Sequence, residues 1–195
     1  MFRAIAHITA VRGWELHQID ITTAFLCGKL EPGKEVYMKQ PRGFEVKGLE
    51  DHIWELLKGL YVLPQGSRIW NKAMNAGMAS FGFVRISCEY CLYLHETESG
   101  TILTGIHVDD FLMAISNLLK ASKFKAELSS IWEIKDLREA KFYVGVAIER
   151  DLINHHIYLF QTALIDKILN QFDMTNCNPV STPMETGLIL SRYTN

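Results

Sequence analysis

The chain has no apolar run approaching the roughly 20 residues of a membrane span. Its first ten residues, Met1 to Ala10, lack the long apolar stretch and cleavage signal of a secretory leader. It is poor in cysteine: the four thiols, at positions 27, 88, 91 and 177, are scattered and show no disulfide framework. That usage points to reduced thiols in an intracellular protein. Cys88 and Cys91 with His95 sketch part of a zinc site, but a fourth ligand is lacking and the stretch reads as a strand. Internal repeats, low-complexity tracts and a glycine-rich phosphate cradle are all absent. Nor is there an excess of positive charge. Twenty Lys and Arg stand against 22 Asp and Glu, a formal net charge of −2, whereas neutralising a phosphate backbone calls for a basic surface. The local basic groups, Lys120-Lys123-Lys125 and Lys135-Arg138-Lys141, do not change that balance, and the first reads as the solvated face of a helix. For a protein that handles nucleic acid, the balance implies that part of the cleft is absent from this chain.

What is present is apolar and well punctuated. The 195 residues are 48% hydrophobic and 22% charged, ample for one packed domain with an appendage. Two short apolar runs, Ile102-Leu103-Thr104-Gly105-Ile106 and Phe111-Leu112-Met113-Ala114-Ile115, flank His107-Val108-Asp109-Asp110. They read as a β-hairpin whose turn carries two adjacent carboxylates. Asp-Asp is also ordinary turn chemistry. Between segments that want burial, however, two like charges repel and lose hydration unless a cation neutralises them, and hard carboxylate oxygens suit Mg²⁺. Asp20 follows a strand-like stretch, Trp14 to Ile19, and precedes the small residues Thr22, Thr23 and Ala24. Alone it reads as a strand-end cap; beside Asp109 and Asp110 it becomes a candidate third ligand.

The rest of the pattern is mixed. Residues 2–12 read as a helix ended by Gly13, and Pro64 to Ser80 as a second with Ile69, Ala73, Ala76 and Ser80 at helical spacing. Leu118, Ala121, Phe124, Leu128 and Ile131 define one face of a helix over 117–131, with Ser116 as its cap. Short strands are expected at Val36–Met38, Ile53–Leu57 and Cys91–His95. Two more follow at 142–149 and 156–160, joined by a polar turn from Arg150 to His155. A last helix spans about 162–173, with Ile165, Ile168, Leu169 and Phe172 at its spacing, and Pro179 and Pro183 fix an extended tail. Antiparallel strands with interspersed helices predict an α+β sheet with helices packed on one face.

Several stretches together resemble the reverse transcriptases of Ty1/copia-type retrotransposons. Asp20-Ile21-Thr22-Thr23-Ala24-Phe25-Leu26-Cys27-Gly28 is similar to their Asp-Val-Lys-Thr-Ala-Phe-Leu-Asn-Gly signature, and Glu35 to Phe44 matches their next block closely. Leu57 to Trp70 resembles their Lys-Ser-Leu-Tyr-Gly-Leu-Lys-Gln-Ala-Pro-Arg-Gln-Trp block, and His107 to Asp110 resembles Tyr-Val-Asp-Asp. Trp132 to Leu137, Lys141 to Arg150 and Val180 to Met184 follow in the family's order.

The resemblance implies a polymerase palm over 1–150 with a remnant of fingers, and a partial connection or thumb-side segment with its tail over 151–195. It implies nucleotidyl transfer from deoxynucleoside triphosphates to a primer on an RNA or DNA template, with two Mg²⁺ ions, or Mn²⁺, as cofactors. Asp20 and Asp109 would bridge the metals, Asp110 would assist the primer-side ion, and the Ile21 carbonyl would add a ligand. Phe25 would pack under the incoming sugar and exclude a 2′-hydroxyl, unless it is a core aromatic. Gln65 would contact the nucleotide, and Arg68 would meet the template backbone or pair locally. Trp70 reads as core. The expected setting is intracellular: cytoplasm, virus-like particle or nucleus.

Some features depart from the family pattern. His107 replaces a tyrosine, and Val62 and Arg138 stand where glycine is usual. The cationic fingers block that grips the triphosphate would precede Met1, and a ribonuclease H domain would follow the Ser-Thr-Pro-Met stretch. The resulting expectation is a palm that keeps its metal ligands and has little of its substrate grip, weakly active or inactive alone. The alternatives are a non-catalytic remnant that binds nucleic acid or protein, a product that folds poorly, and another two-metal enzyme such as a nucleotide cyclase. The last would need a substrate loop of its own.

Overall fold

The protein is described here by a computed structural model covering residues 1–61, 63–181, 183–184 and 187–189. Val62 and Thr182, noted above, lie outside the described residues. The two apolar runs become the middle of β6 (Gly100–His107) and β7 (Asp110–Ile115), a hairpin in register from Ile102↔Ile115 to His107↔Asp110. Beyond β6 lie β5 (Leu92–Thr97) and the short β4 (Val84–Arg85). Beyond β7 lie β1 (Glu15–Ile21) and β8 (Ile134–Glu139). The six strands run in the order β4-β5-β6-β7-β1-β8, and each neighbouring pair is antiparallel.

Neither central run alternates apolar with polar residues, so both faces of the sheet need cover. Helix α1 (Phe2–Arg12) sets Ile5 with Leu16, Leu103, Leu112 and Ala114 on one side. Helices α2 (Gly66–Ser80) and α3 (Leu118–Ile131) cover the other. There Trp70, Met74, Met78, Phe124 and Leu128 pack with Ile19, Ile21, Ile106, Phe111 and Met113. The expectation of helices on one face is therefore corrected: a strand such as Phe111–Ile115 sends apolar side chains both ways.

Local chemistry sets the helix ends. Gly13 takes φ 62° and closes α1, its N–H donating to the Ala10 carbonyl while the Trp14 N–H donates to that of Thr9, the paired bonds of a Schellman ending. The cap of α3 is Asn117, not Ser116 as expected. The Asn117 side chain accepts from the Leu119 and Lys120 N–H groups, whereas Ser116 Oγ accepts from the Thr101 N–H at 2.7 Å. Of the apolar stripe on α3, Ala121, Phe124 and Leu128 are buried, but Leu118 and Ile131 are exposed.

Three strands differ from the sequence pattern. β8 and β4 were not foreseen, because Ile134-Lys135-Asp136-Leu137-Arg138-Glu139 is mostly charged and β4 is two residues long. What makes the first a strand is pairing with β1 as a charged edge. The single strand expected over 142–149 is two, β9 (Phe142–Tyr143) and β10 (Val146–Asp151). Val144 (φ 45°) and Gly145 (φ 77°) turn the chain between them, the positive-φ pair of a type I′ hairpin. These strands and β11 (His156–Phe160) form a three-stranded sheet, and β2 (Tyr37–Lys39) pairs with β3 (Ile53–Glu55) in a separate ribbon.

The chain forms two compact units, Met1–Leu159 and Phe160–Asn195. The second unit holds α4 (Thr162–Gln171), in which Leu164, Ile165 and Ile168 are exposed. From residue 176 on, the described residues form neither helix nor strand, in keeping with Pro179 and Pro183.

Candidate active site

The site is built at one end of the central strands. Asp20, next to last in β1, stands directly opposite Asp110, the first residue of β7. Asp109 and Val108 are the two-residue turn between β6 and β7. Val108 has φ 61° while Asp109 does not share a positive φ, the sign pattern of a type II′ turn, whose first position favours glycine. A β-branched residue there is strained. The end of β1 reaches over this turn: the Ile21 N–H donates to the Asp109 carbonyl at 2.9 Å. Ile21 thus meets the turn through its N–H, while its side chain is buried.

All three carboxylates are half-buried. Burial pushes the Asp20 carboxyl above its ordinary range, and the charges of Asp109 and Asp110 push it the same way. Lys135 opposes them from β8, where it is the register partner of Asp20. A row Asp110–Asp20–Lys135 therefore crosses three strands. Gln18 Nε2 donates to Asp110 Oδ1 at 3.0 Å, and the Tyr143 hydroxyl donates to the Asp110 carbonyl at 3.4 Å. Burial raises the Tyr143 hydroxyl well above its usual range, with Asp110 adding to it, so it stays protonated as a donor.

Among the described residues, no three His, Cys, Asp or Glu side chains converge closely enough to cage a metal as they stand. The donor chemistry nevertheless fits a hard divalent cation. Half-buried carboxylates are held side by side by the sheet, and their mutual repulsion already raises one of them. Asp20, Asp109 and Asp110 would hold the ion, by rotation of side chains about a fixed backbone. Cys88 and Cys91 are exposed free thiols, and His95 packs on Phe83 with ring centroids 5.0 Å apart.

The remaining expected residues fall in two places. Phe25 is half-buried, stacks on Tyr61 at 4.7 Å between centroids, and lines a cavity of about 180 Å³ shared with Trp70, Met74, Ile106 and Val108. The structure thus brings Phe25 to the back of the carboxylate turn. Gln65 and Arg68 line a different and smaller recess with Glu31 and Lys34. His107 ends β6, exposed, opposite Asp110. Sequence reasoning assigned no role at the site to Gln18, Lys135 or Tyr143. It read Trp70 only as core, yet Trp70 Nε1 donates to the Val108 carbonyl at 2.6 Å. The alternation in β1, which puts Gln18 on the face of Asp20, is the one sequence signal that could have found any of these.

Comparison with known proteins bears on this geometry. Residues 1–186 match the family described as reverse transcriptase (RNA-dependent DNA polymerase). The chain is 35% identical over 191 residues to a retrovirus-related Pol polyprotein from transposon TNT 1-94 of Nicotiana tabacum, covering 97% of this chain and 14% of that protein. It is 31% identical over 166 residues to a putative transposon Ty5-1 protein of Saccharomyces cerevisiae, covering 85% of this chain and 53% of that protein. It is 28% identical over 191 residues to the retrovirus-related Pol polyprotein from transposon RE1 of Arabidopsis thaliana, covering 98% of this chain and 13% of that protein. The chain therefore spans from about an eighth to about half the length of these relatives. Among the described residues no helix is long and apolar enough to cross a membrane.

Proposed function

We propose, from the premise that this chain belongs to the reverse transcriptase family found in copia-type retrotransposon Pol polyproteins, that it is the part of such a polyprotein that carries the nucleotidyl-transfer centre. The six-stranded sheet serves as the polymerase palm. The observation that carries the reading is the register of Asp20 against Asp110, with Asp109 tied to the Ile21 N–H beside them.

Reverse transcriptases use divalent metal ions, and Mg²⁺, two ions in this reading, is the cation these oxygens suit, with Mn²⁺ as a substitute. Bound there, the cations would supply Lewis acidity at a primer 3′-hydroxyl and neutralise charge on the leaving pyrophosphate. The chain's own residues do the positioning. Asp20 and Asp109 would hold the cations that act on the two reacting oxygens, and Asp110, oriented by Gln18, would complete the set on the primer side. The Ile21 carbonyl offers a further oxygen. Lys135 limits the repulsion that Asp20 feels before a cation arrives. Phe25 forms the floor under the sugar of an incoming deoxynucleotide, and Gln65 and Arg68 meet nucleotide and template from the start of α2. Phosphoryl transfer asks mainly for positioning and charge neutralisation, which is what this arrangement offers.

The test is primer extension on a homopolymer RNA template with Mg²⁺ or Mn²⁺, comparing the chain with an Asp109→Asn/Asp110→Asn variant. Extension that disappears in the variant is the expected result. No extension by folded wild-type protein would favour a remnant that binds nucleic acid or protein without catalysis.

A further inference from the structure

The indole of Trp70 lies almost wholly out of water, at 2% exposure. A buried indole N–H needs an acceptor, and the one it has is the Val108 carbonyl, at 2.6 Å. That carbonyl belongs to the two-residue turn that holds Asp109 and leads directly into Asp110, and the turn is strained, because Val108 sits at φ 61°. A strained turn keeps its shape only when its surroundings determine it. Two bonds hold this one from opposite ends: Ile21 N–H on the Asp109 carbonyl and Trp70 Nε1–H on the Val108 carbonyl.

Trp70 is itself fixed. Its ring meets Trp132 edge-on with centroids 5.3 Å apart, and Trp132 lies so close to α2 that a Cβ at Gly77 would collide with its ring. A continuous line of contacts therefore runs from the end of α3 through Trp132 and Trp70 to the carboxylate turn. We propose that Trp70 is a positioning residue for the metal ligands: its indole N–H fixes the Val108 carbonyl, and so sets where Asp109 and Asp110 present their carboxylates. This rests on the functional reading above, which supplies the metal ligands, but the bond and the strained turn stand without it.

The test is Trp70→Phe, which keeps a ring and removes the donor. Three readouts separate positioning from bulk structure. In metal-free protein, backbone amide resonances of Val108, Asp109 and Asp110 should shift or broaden in the variant, while those of β5 and α1 stay in place. In primer extension, the Mg²⁺ concentration for half-maximal rate should rise on the order of tenfold, as expected when a group that orients a metal ligand is lost, with KM for the deoxynucleotide unchanged. In wild-type protein, the Trp70 indole N–H should exchange slowly with solvent, a measurement that holds even if the variant does not fold. An unmoved turn in a folded variant overturns the proposal, as does a fast-exchanging indole in the wild type. If wild-type protein extends no primer while the turn amides respond to Trp70→Phe, the catalytic reading fails and the positioning role stands.

Discussion

Asp20 and Asp110 face each other across β1 and β7, two like charges placed side by side by backbone hydrogen bonds rather than by any attraction of their own. Directly opposed like charges in a sheet are destabilising. A protein keeps such a pair where another term compensates. Lys135, across β8 from Asp20, compensates in part; a bound cation is the larger remedy the proposed function supplies.

The first prediction concerns pH. The Asp20 carboxyl titrates above its ordinary 3.8 in the folded protein. Between the unfolded and folded values the folded protein holds a proton the unfolded chain has released. Stability therefore falls as pH rises through that window, and the full penalty stands above it. Asp20→Asn should melt higher than wild type at about pH 7 and match it at about pH 3, where both forms are neutral. Mg²⁺ should raise the melting temperature of wild type at neutral pH and leave an Asp20→Asn/Asp110→Asn variant unmoved, while Lys135→Met should lower it. Thermal melts across pH, with and without Mg²⁺, decide this. An Asp20→Asn variant less stable than wild type at neutral pH would contradict it.

Arg138 stands at φ 61°, where β8 bulges against β1 between Gln18 and Ile19. The Asp136 carboxylate pins it there by accepting from its N–H at 2.9 Å and from Lys125 Nζ at 2.8 Å. Burial alone would push the Asp136 carboxyl up; these hydrogen bonds and the nearby cations outweigh burial and hold it below its ordinary range. A left-handed non-glycine residue costs roughly 1–2 kcal/mol. Arg138→Gly should therefore stabilise the protein by about 1 kcal/mol, and Arg138→Ala should not. Urea unfolding measures both; equal effects of the two variants would place the cause in the lost side chain instead.

Gly77 is the point where α2 admits the Trp132 ring. Gly77→Ala puts a methyl group into that contact, and backbone propensity alone would have favoured alanine in a helix by about 1 kcal/mol. Overpacking should win, with a net loss of about 1–3 kcal/mol. A variant at least as stable as wild type in denaturant unfolding would show that Trp132 moves aside freely.

Phe25 gives a prediction about substrate choice. If its ring is the floor under the sugar, Phe25→Val opens room for a 2′-hydroxyl, and incorporation of ribonucleotides relative to deoxynucleotides should rise on the order of tenfold or more. Steady-state kcat/KM for matched nucleotide pairs reads this directly. An unchanged ratio with a lower melting temperature would mark Phe25 as a packing residue beside Tyr61.

Much of this was legible from local pattern. Gly13 after an apolar helix, Asp-Asp between two apolar runs and the polar turn before Ile157 each carry their own signal within a few residues. The burial of Ile19 and Ile21 beside a half-exposed Asp20 follows from alternation along one strand. The charged β8 carried no such signal, because its strand character comes from β1, more than a hundred residues earlier in the chain. Ser116 and Asn117 are both good caps by residue type, and only the contact of Ser116 with Thr101 assigns them different tasks.

By itself, the sequence determined that the chain has a large apolar core, a hairpin tipped with two carboxylates, and a third carboxylate at the end of another strand. Motif similarity placed it in a family. Tertiary structure alone decided that Asp20 opposes Asp110, that Lys135 opposes Asp20, that helices cover both faces of the sheet, and that Trp70 holds the Val108 carbonyl. Each of these depends on register or on packing between segments far apart in sequence. A strand's alternation says which way a side chain points; only the pairing of strands says what it meets.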